Sequence, residues 1–338
     1  MRIKTHLFLL FIAFGFSLCS DRKIEGNGEP TPKIKGMTLE SPPGPIEADR
    51  LKPVSEIHAN YVAIVPYAFT PDGKPEVIFN HERQWWGEKE EGVVELIKMA
   101  RLNNMDVMLK PQVWMHPGWV GDFFLTDESD WIRWEEAYSK YVLFYARVAA
   151  ENDVKIFCIG TEYREVAINR PKYWKALIKK VRDVYSGKLT YAANWDEYHS
   201  VEFWNDLDFI GVNAYFPLSK VETPTVDKLK TVWKKIIPDL SALGKQFGKP
   251  ILFTEFGYRS VNNAAGNQWE LDQKPLNLSV QANAFKAFFE TVWEEDQIAG
   301  GFIWKWEFDT NAGGPENLKY TPQGKPALEV ITGAYSVN

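Results

Sequence analysis

The segment Lys155-Ile156-Phe157-Cys158-Ile159-Gly160-Thr161-Glu162-Tyr163 is an apolar run without polar alternation, closed by a glycine and followed by a carboxylate. A run of this kind reads as a strand buried on both faces, the habit of parallel sheets covered by helices. The same grammar recurs on both sides of it. Short apolar runs bounded by Gly, Pro, Asn or Asp fall at residues 36–39, 61–65, 106–109, 155–159, 189–192, 209–212, 251–253 and 301–304. Stretches of helical period separate most of them. Ser129 is placed to cap a helix in which Trp134, Tyr138, Tyr141, Val142, Tyr145 and Val148 recur at spacings of three and four. Pro171 stands near the start of another, through Trp174, Leu177, Ile178 and Val181 to Gly187. Further helices are predicted over 225–247, ended by Gly248, over 279–294 and over 327–334. Eight strand-then-helix units over about 300 residues predict an α/β fold, a single (β/α)₈ TIM barrel. A doubly wound open sheet is the alternative. Its nucleotide-binding form is disfavoured, because the first strand runs into Glu40-Ser41-Pro42-Pro43-Gly44-Pro45 and not into a phosphate-cradling glycine loop.

The composition narrows the function classes. The chain of 338 residues is 45% hydrophobic and 25% charged, which is ordinary for a globular protein and excludes disorder and fibres. A formal net charge of −6 gives no sequence-wide positive field, so no nucleic-acid partner is expected. Trp is as frequent as Tyr, 14 of each, and some of those rings are expected to face a ligand. Arg2 and Lys4 precede an apolar run over 7–16, the pattern of a secretory signal and too short for a transmembrane helix. Cys19 directly after that run resembles a bacterial lipoprotein cleavage site, although Leu18 departs from the usual small residue; ordinary signal cleavage is the alternative. Residues 1–19 are therefore read as a signal peptide, 20–35 as a flexible Gly-, Pro- and charge-rich tether, and 36–338 as the folded domain. Either route implies export, to the cell envelope as a lipoprotein in the outer membrane or periplasm, or by secretion. The membrane would be met only through a lipid on Cys19, and a monomer is expected. The remaining cysteine, Cys158, sits in an apolar run and is expected to be a lone buried thiol. The His residues at 6, 58, 81, 116 and 199 are scattered, so no metal site and no cofactor is implied.

In a barrel of this kind the chemistry gathers at the C-terminal ends of the strands. Those ends read Lys110-Pro111-Gln112-Val113-Trp114-Met115-His116, Gly160-Thr161-Glu162-Tyr163-Arg164, Asn194-Trp195-Asp196-Glu197, Asn213-Ala214-Tyr215, Thr254-Glu255-Phe256-Gly257-Tyr258 and Lys305-Trp306-Glu307. Glu162 and Glu255 each follow an apolar strand and a Thr, three strands apart in a closed barrel, so both can face the mouth. Paired carboxylates among aromatic platforms suit glycosidic cleavage, one protonating the leaving oxygen and one attacking the anomeric carbon. A separation of roughly 5–5.5 Å goes with retention of configuration. The competing reading makes them structural carboxylates paired with Arg164, Arg259 or Lys305. Trp114, Trp195, Trp304 and Trp306 are open between sugar platforms and core fillers, as are Trp85 and Trp86 in the long 70–89 segment. Asp196 and Glu197 stand as reserve acid/base candidates.

A Glu after strand four and another after strand seven resemble clan A of the retaining glycoside hydrolases. Within it, Gly160-Thr161-Glu162-Tyr163, Asp208-Phe209-Ile210-Gly211-Val212-Asn213-Ala214-Tyr215-Phe216-Pro217-Leu218 and Thr254-Glu255-Phe256-Gly257-Tyr258 resemble glycoside hydrolase family 113, the endo-β-1,4-mannanases. The resemblance runs from about Gly36 to Phe308. It implies Glu162 as acid/base, Glu255 as nucleophile, Tyr215 as a hydrogen-bond donor to the nucleophile, and Trp304 as the floor under the cleaved sugar. Many clan A enzymes have Asn directly before the acid/base, in contact with the sugar 2-hydroxyl; this chain has Thr161, and Asn194, Asn213 or Lys110 are the candidates to replace that contact. Trp114, His116 and Trp195 complete the expected substrate-binding set. The function implied is a retaining hydrolase of β-1,4-mannan or manno-oligosaccharides. The alternatives are a hydrolase of another β-glycan (glucan, xylan or galactan) and a non-catalytic glycan-binding lipoprotein on the same fold.

Overall fold

In the computed structural model, which describes residues 32–267, 270–309 and 311–337, each apolar run predicted as a strand is one. The strands are β1 (Ile34–Leu39), β2 (Tyr61–Ile64), β3 (Tyr67–Pro71), β4 (Asp106–Leu109), β5 (Gln112–His116), β6 (Ile156–Thr161), β7 (Lys188–Asn194), β8 (Ile210–Asn213), β9 (Ile251–Phe256) and β10 (Ile298–Trp306). All but β3 and β5 pair in parallel, in sequence order, and β10 returns to β1 to close the (β/α)₈ barrel. Its strands are buried on both faces, as the missing alternation foretold; β6 and β9 bury every residue. A cluster drawn from strands alone, with Ala63, Met108, Ile156, Leu252 and Phe302, fills the inside of the barrel.

The helices are α1 (Lys52–Glu56), α2 (Glu90–Leu102), α3 (Glu128–Glu151), α4 (Arg164–Asn169), α5 (Pro171–Arg182), α6 (Val226–Phe247), α7 (Leu278–Phe289) and α8 (Pro326–Ser336). The side chain of Thr225 caps α6 by accepting from the Lys228 amide, and Gly248, at φ 62°, ends it in the left-handed conformation that glycine adopts freely. Pro171 occupies the first turn of α5. Ser129 is not a cap: it lies inside α3, whose first turn carries Glu128 and Asp130, favourable at the positive end of the helix dipole. The helix predicted over 279–294 stops at Phe289 and is followed by a separate 3₁₀ turn at Val292–Glu294. Trp134, Trp174, Trp204 and Trp233 are fully buried, so much of the Trp content is core.

The signal and most of the tether lie outside the described residues. The barrel begins earlier than residue 36, because Ile34 and Lys35 already belong to β1 and the Lys33 ammonium is bonded to the Glu295 and Ile298 carbonyls at 2.7 and 2.6 Å. Cys158 is a buried free thiol.

Two additions shape the mouth. β3 and β5 leave the C-terminal ends of β2 and β4 and pair with each other in parallel, setting Phe69 beside Trp114 and Pro71 beside His116. The 70–89 segment folds back on this ribbon: Phe69 and Ile78 exchange backbone hydrogen bonds of 2.8 and 2.9 Å, and the Gln84 amide donates to the Tyr67 carbonyl. The described part of 261–277 is strapped to the loop after β8, through Leu218 and Ser219 amides bonded to Ala265 and the Asn263 amide bonded to Glu222.

Candidate active site

β6 ends by turning Glu162 into the left-handed region, at φ 55°, while its amide still bonds the Ala192 carbonyl of β7. Such a backbone costs a non-glycine residue about 1–3 kcal/mol and persists only where the surroundings enforce it. Both carboxylate oxygens of Glu162 are held. Asn213, from the end of β8, donates to Oε1 at 2.8 Å, and the Trp119 indole donates to Oε2 at 2.8 Å. Thr254 donates to Asn213 Oδ1 at 2.8 Å, which leaves the amide nitrogen of Asn213 facing Glu162.

Thr254 is followed on β9 by Glu255, which is gripped from two other strands. Tyr215 donates to Oε2 at 2.9 Å, and Lys110, at the end of β4, donates to Oε1. The Lys110 side chain is wholly buried and that of Glu255 is 6% exposed. The Lys110 ammonium also donates to Gln112 at 3.1 Å and sits 6.0 Å from the centre of the Trp304 ring. Gly257 lets β9 lie close to β10, since any side chain there would run into the Trp304 carbonyl.

The two carboxyl groups therefore stand in different fields. Burial, and then the charge of Glu255, push Glu162 above the usual carboxylate range, against the hydrogen bonds from Asn213 and Trp119. Glu255 has a cation in contact with it. One buried carboxyl that favours its proton beside another paired with an ammonium is the arrangement that acid-assisted displacement needs. The structural-carboxylate reading fails on its partners: Arg164 is engaged by Asp122, Arg259 by Asp272 and Lys305 by Glu40.

A cavity of about 480 Å³ is lined by Trp304, Lys305, Glu40, Tyr67, Phe69, Trp114, Arg83 and Trp85; neither carboxylate lines it, and Trp304, its ring centre 6.0 Å from the Lys110 ammonium, links it to the pair. Trp114 is 63% exposed and Trp85 49%, large apolar surfaces left open to solvent along the cavity wall. Another cavity, of about 700 Å³, lies between the loop after β8, at Pro217 to Lys220, and the strapped segment at Asn263 to Lys274.

The sequence profile of Glycoside Hydrolase Family 113 matches residues 45–325, which spans most of the barrel and both carboxylates. The chain belongs to glycoside hydrolase family 113. A GH113 β-mannanase from Alicyclobacillus acidocaldarius, solved in complex with ManMIm, is 24% identical and superimposes with a TM-score of 0.80 over 90% of this chain and 97% of that one. A GH113 β-1,4-mannanase solved on its own is 27% identical, with a TM-score of 0.78 over 91% of this chain and 100% of the other. A comparison with curated proteins returned no match. The protein is thus a glycoside hydrolase on a (β/α)₈ barrel.

Of the residues expected in the GH113 site, Asn213 bonds Glu162 while Tyr215 and Lys110 bond Glu255, two adjoining sets with Trp304 near the Lys110 ammonium. Two of the three candidates for the 2-hydroxyl contact take other roles: Lys110 is spent on Glu255 and Gln112, and Asn213, fully buried, on Glu162 and Thr254. Asn194 is half-buried and bonds Asp196 at 3.0 Å. Trp195 packs on Phe216, 5.9 Å between ring centres, and Trp306 is core. His116 is exposed on the face of β5 that also carries Trp114, toward the far end of the ribbon. Asp196 faces Arg164 at 3.7 Å. Glu197 is buried, accepts from Tyr191 at 2.9 Å and is pushed up to about 8 by burial. Three contributors were missed: Trp119, Gln112 and Thr254. The last two stand among the strand-end residues, and that position is the signal they offered; Trp119 comes from a loop with no such mark.

Proposed function

We propose that this GH113 enzyme cleaves β-1,4-mannan or manno-oligosaccharides with retention, by double displacement. Glu255 attacks the anomeric carbon, the glycosidic C–O bond breaks, and the leaving oxygen takes the proton of Glu162. Water then adds to the same carbon as the Glu255 ester bond breaks, and its proton passes to Glu162. Tyr215 and Lys110 hold the Glu255 carboxylate in place for the first attack. After that attack its charge is gone, which removes one of the two influences holding a proton on Glu162 and frees it to act as base.

The observation that carries this reading is the unlike support of the two carboxyl groups, two neutral donors on Glu162 and a cation with a phenol on Glu255. The mannan assignment leans on the family and on relatives described as β-1,4-mannanases. With Lys110 and Asn213 committed to the carboxylates, Asn194 is the candidate left for the sugar 2-hydroxyl. Read as a signal, the amino terminus puts the enzyme outside the cytoplasm, tethered through Cys19 or, after ordinary signal cleavage, secreted.

Two variants test the roles. Glu255→Ala should lose turnover of mannohexaose by about 10⁴-fold, as removal of a nucleophile does in other hydrolases. Glu162→Ala should lose it as well, yet still release dinitrophenol rapidly in the first turnover of an activated aryl β-mannobioside, because that leaving group needs no acid. Unchanged hydrolysis by Glu255→Ala contradicts the assignment. Binding of manno-oligosaccharides with no hydrolysis by the wild type would favour the glycan-binding alternative.

A further inference from the structure

Trp119 stands on a loop between β5 and α3 and was no part of the strand-end pattern, yet its indole N–H ends on an oxygen of Glu162. The ring is fixed on its other sides. The Arg164 guanidinium lies 4.8 Å from the ring centre, and any side chain at Gly121 would run into the ring. Arg164 follows Glu162 by two residues and is itself held by Asp122 at 2.5 Å, with Asp196 and Glu165 each at 3.7 Å. The circuit Glu162, Trp119, Arg164 is closed on one edge of the acid/base.

We propose that Trp119 is a positioning residue for the second half of the reaction, its indole N–H holding Glu162 as the charged base that takes a proton from water while Arg164 holds the indole in place. The inference rests on the assignment of Glu162 as acid/base. An N–H donor aimed at a carboxyl oxygen favours the ionised form. In the first step that preference is opposed by burial and by the charge of Glu255. Once Glu255 is esterified its opposing charge disappears, and the donors Trp119 and Asn213 remain. Bond making and breaking are those of the second displacement above; Trp119 exchanges no proton.

The other titratable groups around Glu162 do not supply this function. Glu255 on β9 opposes its ionisation. Glu197 after β7 is itself pushed up to about 8, by burial first and in part by the charge of Glu162, so it is neutral while Glu162 titrates. Lys110 favours it but is bonded to Glu255. Tyr215 and Tyr67 are buried and pushed upward, Tyr191 likewise, so they stay neutral while Glu162 titrates.

Trp119→Phe keeps a ring and deletes the N–H. In enzyme labelled with ¹³C at the Glu carboxyl carbons, with the signal assigned through Glu162→Gln, the Glu162 titration midpoint should rise by about one pH unit, a tenfold gain in proton affinity. On a dinitrophenyl β-mannobioside below neutral pH, where Glu162 in the glycosyl-enzyme is to act as base, kcat should fall by roughly tenfold and KM with it. kcat/KM stays level and a burst of dinitrophenol appears, because only the second step is slowed. A lesion that merely disturbs the loop lowers kcat/KM without moving the midpoint. Arg164→Met, which leaves the indole but frees it, should shift the midpoint in the same direction by less, and it carries the test if Trp119→Phe does not fold. An unmoved midpoint in a folded variant, or kcat and kcat/KM falling together without a burst, overturns the proposal. A wild type inactive on mannan but showing the shift in Trp119→Phe would sink the functional reading and leave the Trp119–Glu162 coupling standing. An active wild type with no shift sinks the inference alone.

Discussion

Lys110→Met isolates the buried charge pair at Glu255. The pair is among the most buried in the molecule, with the Lys110 side chain at 0% exposure and that of Glu255 at 6%. Removing the cation leaves Glu255 with the single hydrogen bond from Tyr215. Breaking a buried ion pair in this way costs about 3–5 kcal/mol, because the remaining charge stays desolvated without its partner. That is a large share of the roughly 5–15 kcal/mol that keeps a domain folded. Urea unfolding at neutral pH, with Lys110→Met, Glu255→Gln and the double variant compared with wild type, should give a double-variant loss smaller than the sum of the single losses by about 2–3 kcal/mol. Activity should fall with stability, because Glu255 loses one of the two side-chain contacts that hold its carboxylate in place. Single losses that add to within about 0.5 kcal/mol would refute the coupling.

Trp114→Ala should lower kcat/KM on mannohexaose by on the order of tenfold while changing mannobiose-length substrates little, since the ring stands out along the cavity wall away from the carboxyl pair; steady-state kinetics against chain length checks this. Because Glu162 is raised, the alkaline limb of kcat/KM should fall above the ordinary Glu range, reporting loss of the acid's proton; a limb centred near 4 would contradict the assignment. Lys325, buried and bonded to Ser260, Asn317 and the Lys319 carbonyl at 2.8–3.0 Å, is pushed down to about 8 by burial. The folded chain thus releases that proton before the unfolded chain does. The unfolded chain binds more protons between pH 8 and the usual lysine range, so this residue's contribution to stability rises with pH there. Lys325→Met should abolish that rise, read as the wild-type-minus-variant difference in urea midpoint across the window.

The barrel was legible because burial on both faces leaves continuous apolar runs, and Glu162 and Glu255 because they break such runs at the end where loops converge. The β3·β5 ribbon was not. Its strands begin directly after Pro66 and Pro111, which read as ends, and their alternating pattern belongs to a surface and not to a barrel stave. The partners of the carboxyl groups were legible only in part. Tyr215 came from family resemblance. Lys110 was expected on the sugar and is found on Glu255, 145 residues away, because a buried carboxylate draws the nearest cation. Trp119, 43 residues from Glu162, meets it only through the course of a loop, for which no periodicity exists.

If Glu162 and Glu255 cleave β-1,4-mannan by double displacement, the first product keeps the β-configuration. Proton NMR of the anomeric signals, followed from the first minutes of mannohexaose digestion by residues 20–338, tests it most directly. The β-anomer should appear first and the α-anomer grow in later by mutarotation. First appearance of the α-anomer would contradict the double displacement, and intact mannohexaose beside cleaved glucan, xylan or galactan oligosaccharides would contradict the mannan assignment.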